Sequence, residues 1–175
     1  MISGATLSGC GRYRLRLWRN ELQGEADPCS EGVVFIMLNP STADAKKDDP
    51  TIRRCINFAK AWGLTRIDVV NLFAFRATKP DSLLQAHQEG VDVIGPENDF
   101  HMTAACHGAK VVIAGWGKRP PARKWDFVRE RAEKVRRALE GRQIELSYLE
   151  MTADGTPRRP LFLKGDLCPQ RWETA

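Results

Sequence analysis

Residues 33–42, with the sequence VVFIMLNPST, decide the fold that the chain adopts. Residues 33–38 carry no charge, which is typical of a parallel strand that is buried on both faces. Asn39-Pro40 ends the predicted strand, because proline lacks the N–H that a further ladder bond needs. In open α/β sheets the ends of such strands border the ligand crevice. We therefore expect the chemistry of the protein at this strand end.

Strand and helix patterns alternate along the rest of the chain. Further strands are predicted at residues 12–18, 67–73, 110–115, 143–149 and 161–163. Helices are predicted from Asp49-Pro50, over residues 83–88, from Gly95-Pro96-Glu97 to about residue 106, and over residues 122–140. This alternation predicts an α/β fold, a three-layer sandwich around a central and mainly parallel sheet. No repeat or linker interrupts residues 1–175, so the sequence predicts a single domain.

The composition is that of a globular protein, with 42% hydrophobic residues in a chain of 175. The sequence contains no apolar segment long enough to cross a membrane and no signal peptide, so we expect no membrane contact and a cytoplasmic location. No feature of the sequence indicates an obligate protein partner. The cysteines show no C-x-x-C spacing, which favours neither a disulfide framework nor a zinc site. They are Cys10, Cys29, Cys55, Cys106 and Cys168.

Basic residues outnumber acidic ones, 27 against 22, and they are clustered. Clustered cations can bind the phosphates of a nucleic acid, and the alternative is a solvated basic surface. One cluster lies in the first strand region, a second surrounds Pro120-Pro121, and a third follows Pro157. Their members are Arg12, Arg14, Arg16, Arg19, Lys118, Arg119, Arg123, Lys124, Arg158 and Arg159.

The loop after the first buried strand carries polar side chains suited to catalysis. The carboxamide of Asn39 can hold a water molecule in line with a susceptible bond, or it can close an Asx turn. Asp44 is a candidate general base, and its alternative role is a local cap with Ser41. Ser41 and Thr42 can also cap the helix that follows.

Asn71 ends the second buried strand among apolar neighbours. Its paired donor and acceptor can read a base edge while Phe73 or Phe75 stacks on the base. The alternative is an asparagine bonded to backbone beside two phenylalanines that simply pack. Arg76 follows closely and can hold a phosphate, or it is a surface arginine.

The third loop contains Gly115-Trp116-Gly117 and continues into the basic segment GKRPPARK. Trp116 can stack on a ligand or serve as a packing lid. Lys118 and Arg119, beside rigid prolines, can press on a duplex backbone, or the segment can be a stiff lead into the next helix. The three histidines lack metal-ligand spacing, and P-loop and G-x-G-x-x-G patterns are absent from the sequence.

The segments LNPSTAD, DDPTIRR, VVNLFAFRAT, GPEND, AGWG and GTPRRPLFL occur in this order along the chain. In order and content they resemble the domain-of-unknown-function family number sixteen forty-three. The resemblance extends from about Tyr13 to Leu163, and the family by itself supplies no reaction.

The order of motifs resembles, more distantly, the uracil-DNA glycosylase superfamily. Its first motif, a strand followed by Gly-x-Asn-Pro or Gly-x-Asp-Pro, is similar to Met37-Leu38-Asn39-Pro40, with Met37 in place of the glycine. Asn71 is the best match to the superfamily asparagine that recognises the base. The last motif often contains His-Pro-Ser, and Arg159-Pro160-Leu161 occupies its place, with Arg159 where a histidine stabilises the leaving base.

This resemblance implies a monofunctional DNA glycosylase that requires no metal or other cofactor. It would flip a nucleotide out of double-stranded DNA and stack the base on Phe73, Phe75 or Trp116. Asn39 and Asp44 would position the water molecule. Asn71 and Arg159 would stabilise the departing base. Contacts with the DNA backbone would come from Ser41, Thr42, Arg76, Lys118, Arg119 and Arg158. Met37 and Arg159 suggest a modified base, excised in repair or in defence against phage with hypermodified DNA. A noncatalytic nucleic-acid binding module and a hydrolase of free modified nucleosides or nucleotides are the alternatives.

Overall fold

The computed structural model of the protein describes residues 2–20 and 32–173. Within these ranges seven strands form one sheet, and four α-helices accompany it. The strands are β1 (Ile2–Leu7), β2 (Arg14–Asn20), β3 (Gly32–Met37), β4 (Arg66–Asn71), β5 (Val111–Ala114), β6 (Leu146–Tyr148) and β7 (Gln170–Arg171). The helices are α1 (Pro50–Ala61), α2 (Pro80–Gln88), α3 (Asn98–His107) and α4 (Asp126–Glu140), with short 3₁₀ helices at Arg123–Trp125 and Pro160–Phe162.

The sheet has a parallel centre and antiparallel edges. Its strand order is β1-β2-β4-β3-β5-β6-β7, in which β3 pairs in parallel with both β4 and β5. β5 and β6 are also parallel, whereas β1 with β2, β2 with β4, and β6 with β7 are antiparallel. The chain leaves β3 for β4 on one side and later returns to β5 on the other, so a crevice is expected beside the carboxyl end of β3.

The central strand β3 is buried on both faces. Phe35 and Met37 belong to an apolar cluster that includes Phe58 of α1. Val34 and Ile36 belong to a second cluster, which includes buried residues of α2, α3 and α4. All six residues of β3 are buried, which explains why its sequence is apolar without alternation.

Helix α1 begins as the sequence predicts. Oδ1 of Asp49 accepts a hydrogen bond of 2.9 Å from the N–H of Ile52, and Pro50 is the first helical residue. Ile52, Cys55 and Phe58 lie on the buried face of the helix. Because this cap fixes where α1 starts, the first turn of the helix is held beside the carboxyl end of β3.

The predicted α/β class is confirmed, with a mixed sheet in which three of the six strand pairings among the described residues are parallel. The predicted strand at residues 161–163 is wrong. Pro160 begins a 3₁₀ turn there, in which the N–H of Leu163 donates to the carbonyl of Pro160 at 3.1 Å. The sequence patterns missed β1, an edge strand that lacks strict alternation and in which Gly4 leaves room for the ring of Trp18.

None of the helices within residues 2–20 and 32–173 has the length and apolar character to cross a membrane. Four of the five cysteines lie in these ranges, and Cys10, Cys55, Cys106 and Cys168 are all free thiols. Cys29 lies outside the described residues.

Replacing Asp49 with alanine removes the side-chain cap of α1, and we expect a loss of about 1 kcal/mol in the free energy of unfolding. Urea denaturation followed by circular dichroism measures the change. Asp81→Ala is the matched control, since Asp81 lies in the first turn of α2, whose N-terminus has no side-chain cap bond. The control should lose roughly 0.3 kcal/mol. Equal losses in the two variants would contradict a specific role for the Asp49 cap.

Candidate functional site

A cavity of about 350 Å³ opens at the carboxyl ends of β3 and β4. This volume lies at the lower end of the range for small-molecule sites, about 300–1,000 Å³. The polar residues that line it come from six separate segments of the chain. They are Arg14, Asn39, Ser41, Thr42, Asp49, Thr51, Asn71, Thr78 and Arg159. The structure therefore brings Asn39, Asn71 and Arg159, three of the residues singled out in the sequence, into one cavity.

The carboxamide of Asn39 is fixed by the backbone around it. Its Nδ2 donates to the carbonyl of Ala77 at 2.7 Å and to the carbonyl of Pro40 at 3.1 Å. Both donor hydrogens are thereby used, and the side chain cannot rotate freely. The carbonyl oxygen Oδ1 is an acceptor that a water molecule or a ligand can use. Asn39 is thus held through its Nδ2, a different arrangement from the Asx turn that the sequence suggested, and its Oδ1 is a fixed acceptor at the cavity.

The side chain of Asn71 is buried without a partner. Asn71 is only 1% exposed, and neither its Oδ1 nor its Nδ2 has a hydrogen-bond partner among residues 2–20 and 32–173. A buried polar group left unsatisfied costs about 1–3 kcal/mol. Such a cost at a cavity wall indicates that a ligand or an ordered water supplies the missing partners when the site is filled.

The backbone at the end of β4 is satisfied by two other buried side chains. Nδ2 of Asn98 donates to the carbonyl of Asn71 at 3.0 Å and to that of Leu72 at 3.2 Å. Nε of Arg131 donates to the same Leu72 carbonyl at 2.9 Å, and its Nη1 lies 3.3 Å from Oδ2 of Asp99. The strand end is therefore held rigidly, while the polar atoms of the Asn71 side chain have no partner among the described residues.

Arg14 is a cavity residue that the sequence indicated only as one member of a basic cluster. It is 3% exposed, and its Nη1 donates to the carbonyl of Ala43 at 2.8 Å, while its Nε has no partner among the described residues. Burial lowers the pKa of Arg14 to about 10, against the opposing effect of Asp49. The alternation of RYRLRLW suggests an outward face for this arginine. The inward placement follows from the loop after β3, whose Ala43 covers this end of β2.

Arg159 reaches the cavity from the segment before the second 3₁₀ helix. Its guanidinium carbon lies 6.0 Å from the centre of the Phe162 ring. A Cβ atom at Gly115 would lie 2.9 Å from Cδ of Pro160, and one at Gly117 would meet the stem of Arg159. The glycines of the Gly-Trp-Gly motif therefore let this segment rest on the end of β5, which explains the motif through packing.

Asp44 is absent from the residues that line the cavity. Its Oδ1 accepts hydrogen bonds from the N–H groups of Lys46 and Lys47 at 2.8 and 2.9 Å, and these bonds lower the pKa of Asp44. A carboxylate stabilised in this way is a weaker base. The geometry gives Asp44 a local structural role, although its partners are Lys46 and Lys47 and not Ser41, the cap partner that the sequence suggested.

The three aromatic residues proposed for stacking lie elsewhere. Phe73 is in the apolar core and contacts Phe127, and Phe75 packs edge-on against Tyr13 at a ring distance of 6.1 Å. Trp116 is buried and lies 5.9 Å from the ring of Trp172. These packing roles follow from the apolar surroundings of each ring. The cavity wall, as lined by residues of the described ranges, contains none of the three.

The residues proposed for backbone contact fall into two groups. Ser41 and Thr42 line the cavity, whereas Arg76 donates to the carbonyl of Gly11 at 3.3 Å. The other cations have close neighbours at the surface. Lys118 pairs with Asp154 at 2.7 Å, Arg158 pairs with Glu150, and the guanidinium of Arg119 lies 5.8 Å from the Trp125 ring. The Lys118 pair lowers the pKa of Asp154. Lys118 and Arg158 are therefore partly neutralised by their carboxylate partners.

A second cavity is larger, about 620 Å³, and lies between α4 and the last strands. Its charged groups are largely paired with one another. Nη1 of Arg136 lies 3.8 Å from Oε2 of Glu140, and Arg171 pairs with Glu145 at 2.5 Å. We place the candidate site in the smaller cavity because two buried side chains that line it, Arg14 and Asn71, have polar atoms without partners among the described residues. In the described part of the chain no group of three or more side chains could hold a metal ion.

The sequence matches the family described as "Protein of unknown function (DUF1643)" over residues 12–161. No curated protein and no solved structure matches the chain. The matched range contains every polar residue that lines the candidate cavity.

Asn71→Leu tests whether the carboxamide of Asn71 serves a ligand and not the fold. Leucine removes two unsatisfied polar atoms at similar volume, so we expect the free energy of unfolding to stay within about 1 kcal/mol of the wild type or to rise. The matched control is Asn98→Leu, because Asn98 is equally buried but makes two backbone hydrogen bonds. It should lose about 2 kcal/mol. Denaturant titrations of both variants measure these changes, and a large loss in Asn71→Leu would contradict the ligand role.

Proposed function

The chain belongs to the DUF1643 family of proteins of unknown function, and we propose that it is a DNA glycosylase that hydrolyses the N-glycosidic bond of a modified or damaged base. The observation that carries the proposal is the pair of asparagines in the cavity. Asn71 offers a buried donor and acceptor without partners, and Asn39 offers an acceptor fixed by the backbone. A base edge needs paired donors and acceptors, and hydrolysis needs a positioned water.

The proposed reaction begins with a nucleotide flipped into the cavity. Oδ1 of Asn39 accepts a hydrogen bond from a water molecule and holds its oxygen near the sugar C1′. The bond from C1′ to the base nitrogen breaks, and its electron pair leaves with the base. The water oxygen bonds to C1′, and its released proton passes to solvent. Asn71 and Arg159 donate hydrogen bonds to the negative charge that develops on the departing base.

The architecture supports a uracil-DNA glycosylase-like arrangement. Four adjacent strands, β4, β3, β5 and β6, are mutually parallel. Apolar clusters lie on both faces of them, as a three-layer sandwich requires. The cavity lies at the end of β3, where the Asn-Pro motif of that superfamily has its counterpart in Asn39-Pro40.

The substrate is proposed to be a base other than plain uracil. Met37 lines the cavity in place of the glycine of the superfamily motif, and Arg159 replaces a histidine. Arginine carries a fixed charge and a planar fork of donors, so it suits a leaving base with several acceptors. Excision of modified bases from invading phage DNA, or of damaged bases in repair, is the cellular role that we propose.

A second candidate function is hydrolysis of free modified nucleosides or nucleotides. It is favoured by the ion pairs of Lys118 and Arg158, which reduce the positive charge available to a DNA backbone. This candidate predicts turnover of small molecules and little salt-dependent affinity for DNA.

Phe162 supports the choice of a duplex substrate. It is 73% exposed and follows Leu161, which lines the cavity. Exposed apolar side chains of nucleic-acid binding proteins can insert between base steps and offset the loss of stacking. At the rim of the cavity, Phe162 can fill the space that a flipped nucleotide leaves in the helix.

Asn39→Ala tests the catalytic part of the proposal. We expect it to reduce base release by at least about 100-fold, because the water loses its fixed acceptor. The assay measures alkali-labile abasic sites and released base in duplexes that contain uracil, damaged bases or phage-type hypermodified bases. Asn57→Ala is the control, since Asn57 is exposed on α1 away from the cavity, and it should retain activity. Absence of base release from the whole panel by the wild-type protein would refute the proposal.

Phe162→Ala tests the proposed insertion into the duplex. We expect excision from duplex DNA to fall by about 10-fold, while excision from single-stranded DNA changes little, because only the duplex must be unstacked. Phe100→Ala is matched in side chain and in exposure, 70% against 73%, but Phe100 lies on α3. It should behave as the wild type with both substrates. Equal effects of Phe162→Ala on excision from single-stranded and from duplex DNA would exclude insertion of Phe162 into the duplex.

A further inference from the structure

Arg14 is a buried cation at the wall of the cavity that lacks a close counter-ion. No carboxylate in residues 2–20 and 32–173 makes a salt bridge to it, and the one hydrogen bond that its side chain donates within these ranges goes to the neutral carbonyl of Ala43. A buried charge that is neither paired nor fully hydrogen-bonded is costly. Arg14 also occupies a strand, β2, in which an apolar residue would serve the fold without this cost.

The surrounding charges leave Arg14 undercompensated. Arg19 is paired with Asp48 at 2.7 Å, so that pair contributes little net charge. Asp49 and, more weakly, Asp44 attract Arg14, although Oδ1 of each carboxylate accepts backbone hydrogen bonds. Arg76 repels Arg14. Burial outweighs the attraction of Asp49, as the lowered pKa of Arg14 indicates. Arg159 adds a second positive charge to the same cavity.

We propose that the Arg14 end of the cavity is a binding site for a phosphate group, with the guanidinium of Arg14 as its central donor. Hydroxyl groups of Ser41, Thr42 and Thr51 line the same cavity and can donate to the remaining phosphate oxygens. Guanidinium groups bind phosphates strongly because their N–H donors match the spacing of the oxygens. This inference rests on the proposed function, in which the phosphate is the one beside the excised nucleotide. A free nucleotide would present the same chemistry.

The first test uses inorganic phosphate and needs no catalysis. At about 100 times the dissociation constant, phosphate should raise the Tm of the wild-type protein by roughly 5–10 °C. Arg14→Met should lose this shift and should be at least as stable as the wild type without phosphate, because the buried charge is gone. Arg53→Gln is the control, since Arg53 is exposed on α1 and outside the cavity, and it should keep the shift. Sodium chloride at equal ionic strength corrects for screening.

Two results would overturn the proposal. One is an equal phosphate shift in the wild type and in Arg14→Met, and the other is no shift in the wild type at any concentration. Should Arg14→Met fail to fold, Arg14→Gln replaces it, because glutamine can still donate to the carbonyl of Ala43. A loss of stability in both variants, with the phosphate shift retained, assigns Arg14 a purely structural role.

The second test identifies the source of the phosphate. A duplex with one neutral methylphosphonate beside the flipped position should bind the wild type about 10-fold more weakly than normal DNA, and Arg14→Met should bind the two duplexes equally. A 5′-mononucleotide that raises the Tm well beyond inorganic phosphate, together with no methylphosphonate effect, would assign the site to free nucleotides. In that case the phosphate site stands and the DNA glycosylase proposal fails. If inorganic phosphate gives no Tm shift in the wild-type protein but base excision is intact, the phosphate site is refuted and the DNA glycosylase proposal stands.

Discussion

The parallel pairing of β3 with strands on both of its sides is the constraint on which the rest of the structure depends. A strand paired on both edges and covered on both faces must be apolar throughout, and all six residues of β3 are buried. The chain can leave such a strand only at its end, where Asn39-Pro40 stops the ladder. Because β4 and β5 run in the same direction on either side, their connections emerge at the same edge. The loop after β3 and the end of β4 therefore meet around one cavity, together with the segment of Arg159 and Pro160 that packs on the end of β5.

The energetics of that cavity differ from those of the surrounding fold. Around it, buried side chains hold the backbone: Asn98 and Arg131 donate to the carbonyls at the end of β4, and Asp49 caps α1. Inside it, the carboxamide of Asn71 and the Nε of Arg14 lack partners among the described residues. Each unsatisfied group lowers stability, and a well-packed apolar side chain would avoid the loss. The rigid surroundings maintain these groups in place, which is the condition for binding a ligand without further ordering.

The local chemistry of the sequence was sufficient to predict the elements that build this edge. The apolar run of β3, the Asp49-Pro50 helix start and the strand that ends at Asn71 can each be recognised from neighbouring residues. Long-range packing was not accessible in this way. Phe73, Phe75 and Trp116 became core or packing residues because of contacts with Phe127, Tyr13 and Trp172, which are distant in sequence. Arg14 points inward only because a loop from another segment covers β2, so the alternation of charges in RYRLRLW gave no signal for its burial.

The acid–base character of the cavity determines what kind of hydrolysis it can support. The carboxylate that lines it within the described residues is Asp49, and one oxygen of that group is engaged as the cap of α1. Asp44, the other candidate base, is held in a local turn. A carboxamide such as Asn39 orients water but cannot take its proton, so water activation contributes little to the barrier. Under the proposed function, the rate then depends on stabilising the departing group, which is the role proposed for Asn71 and Arg159. Such a mechanism favours a base that leaves readily once hydrogen-bonded, and a nucleobase with electron-withdrawing substituents meets that requirement better than an unmodified one.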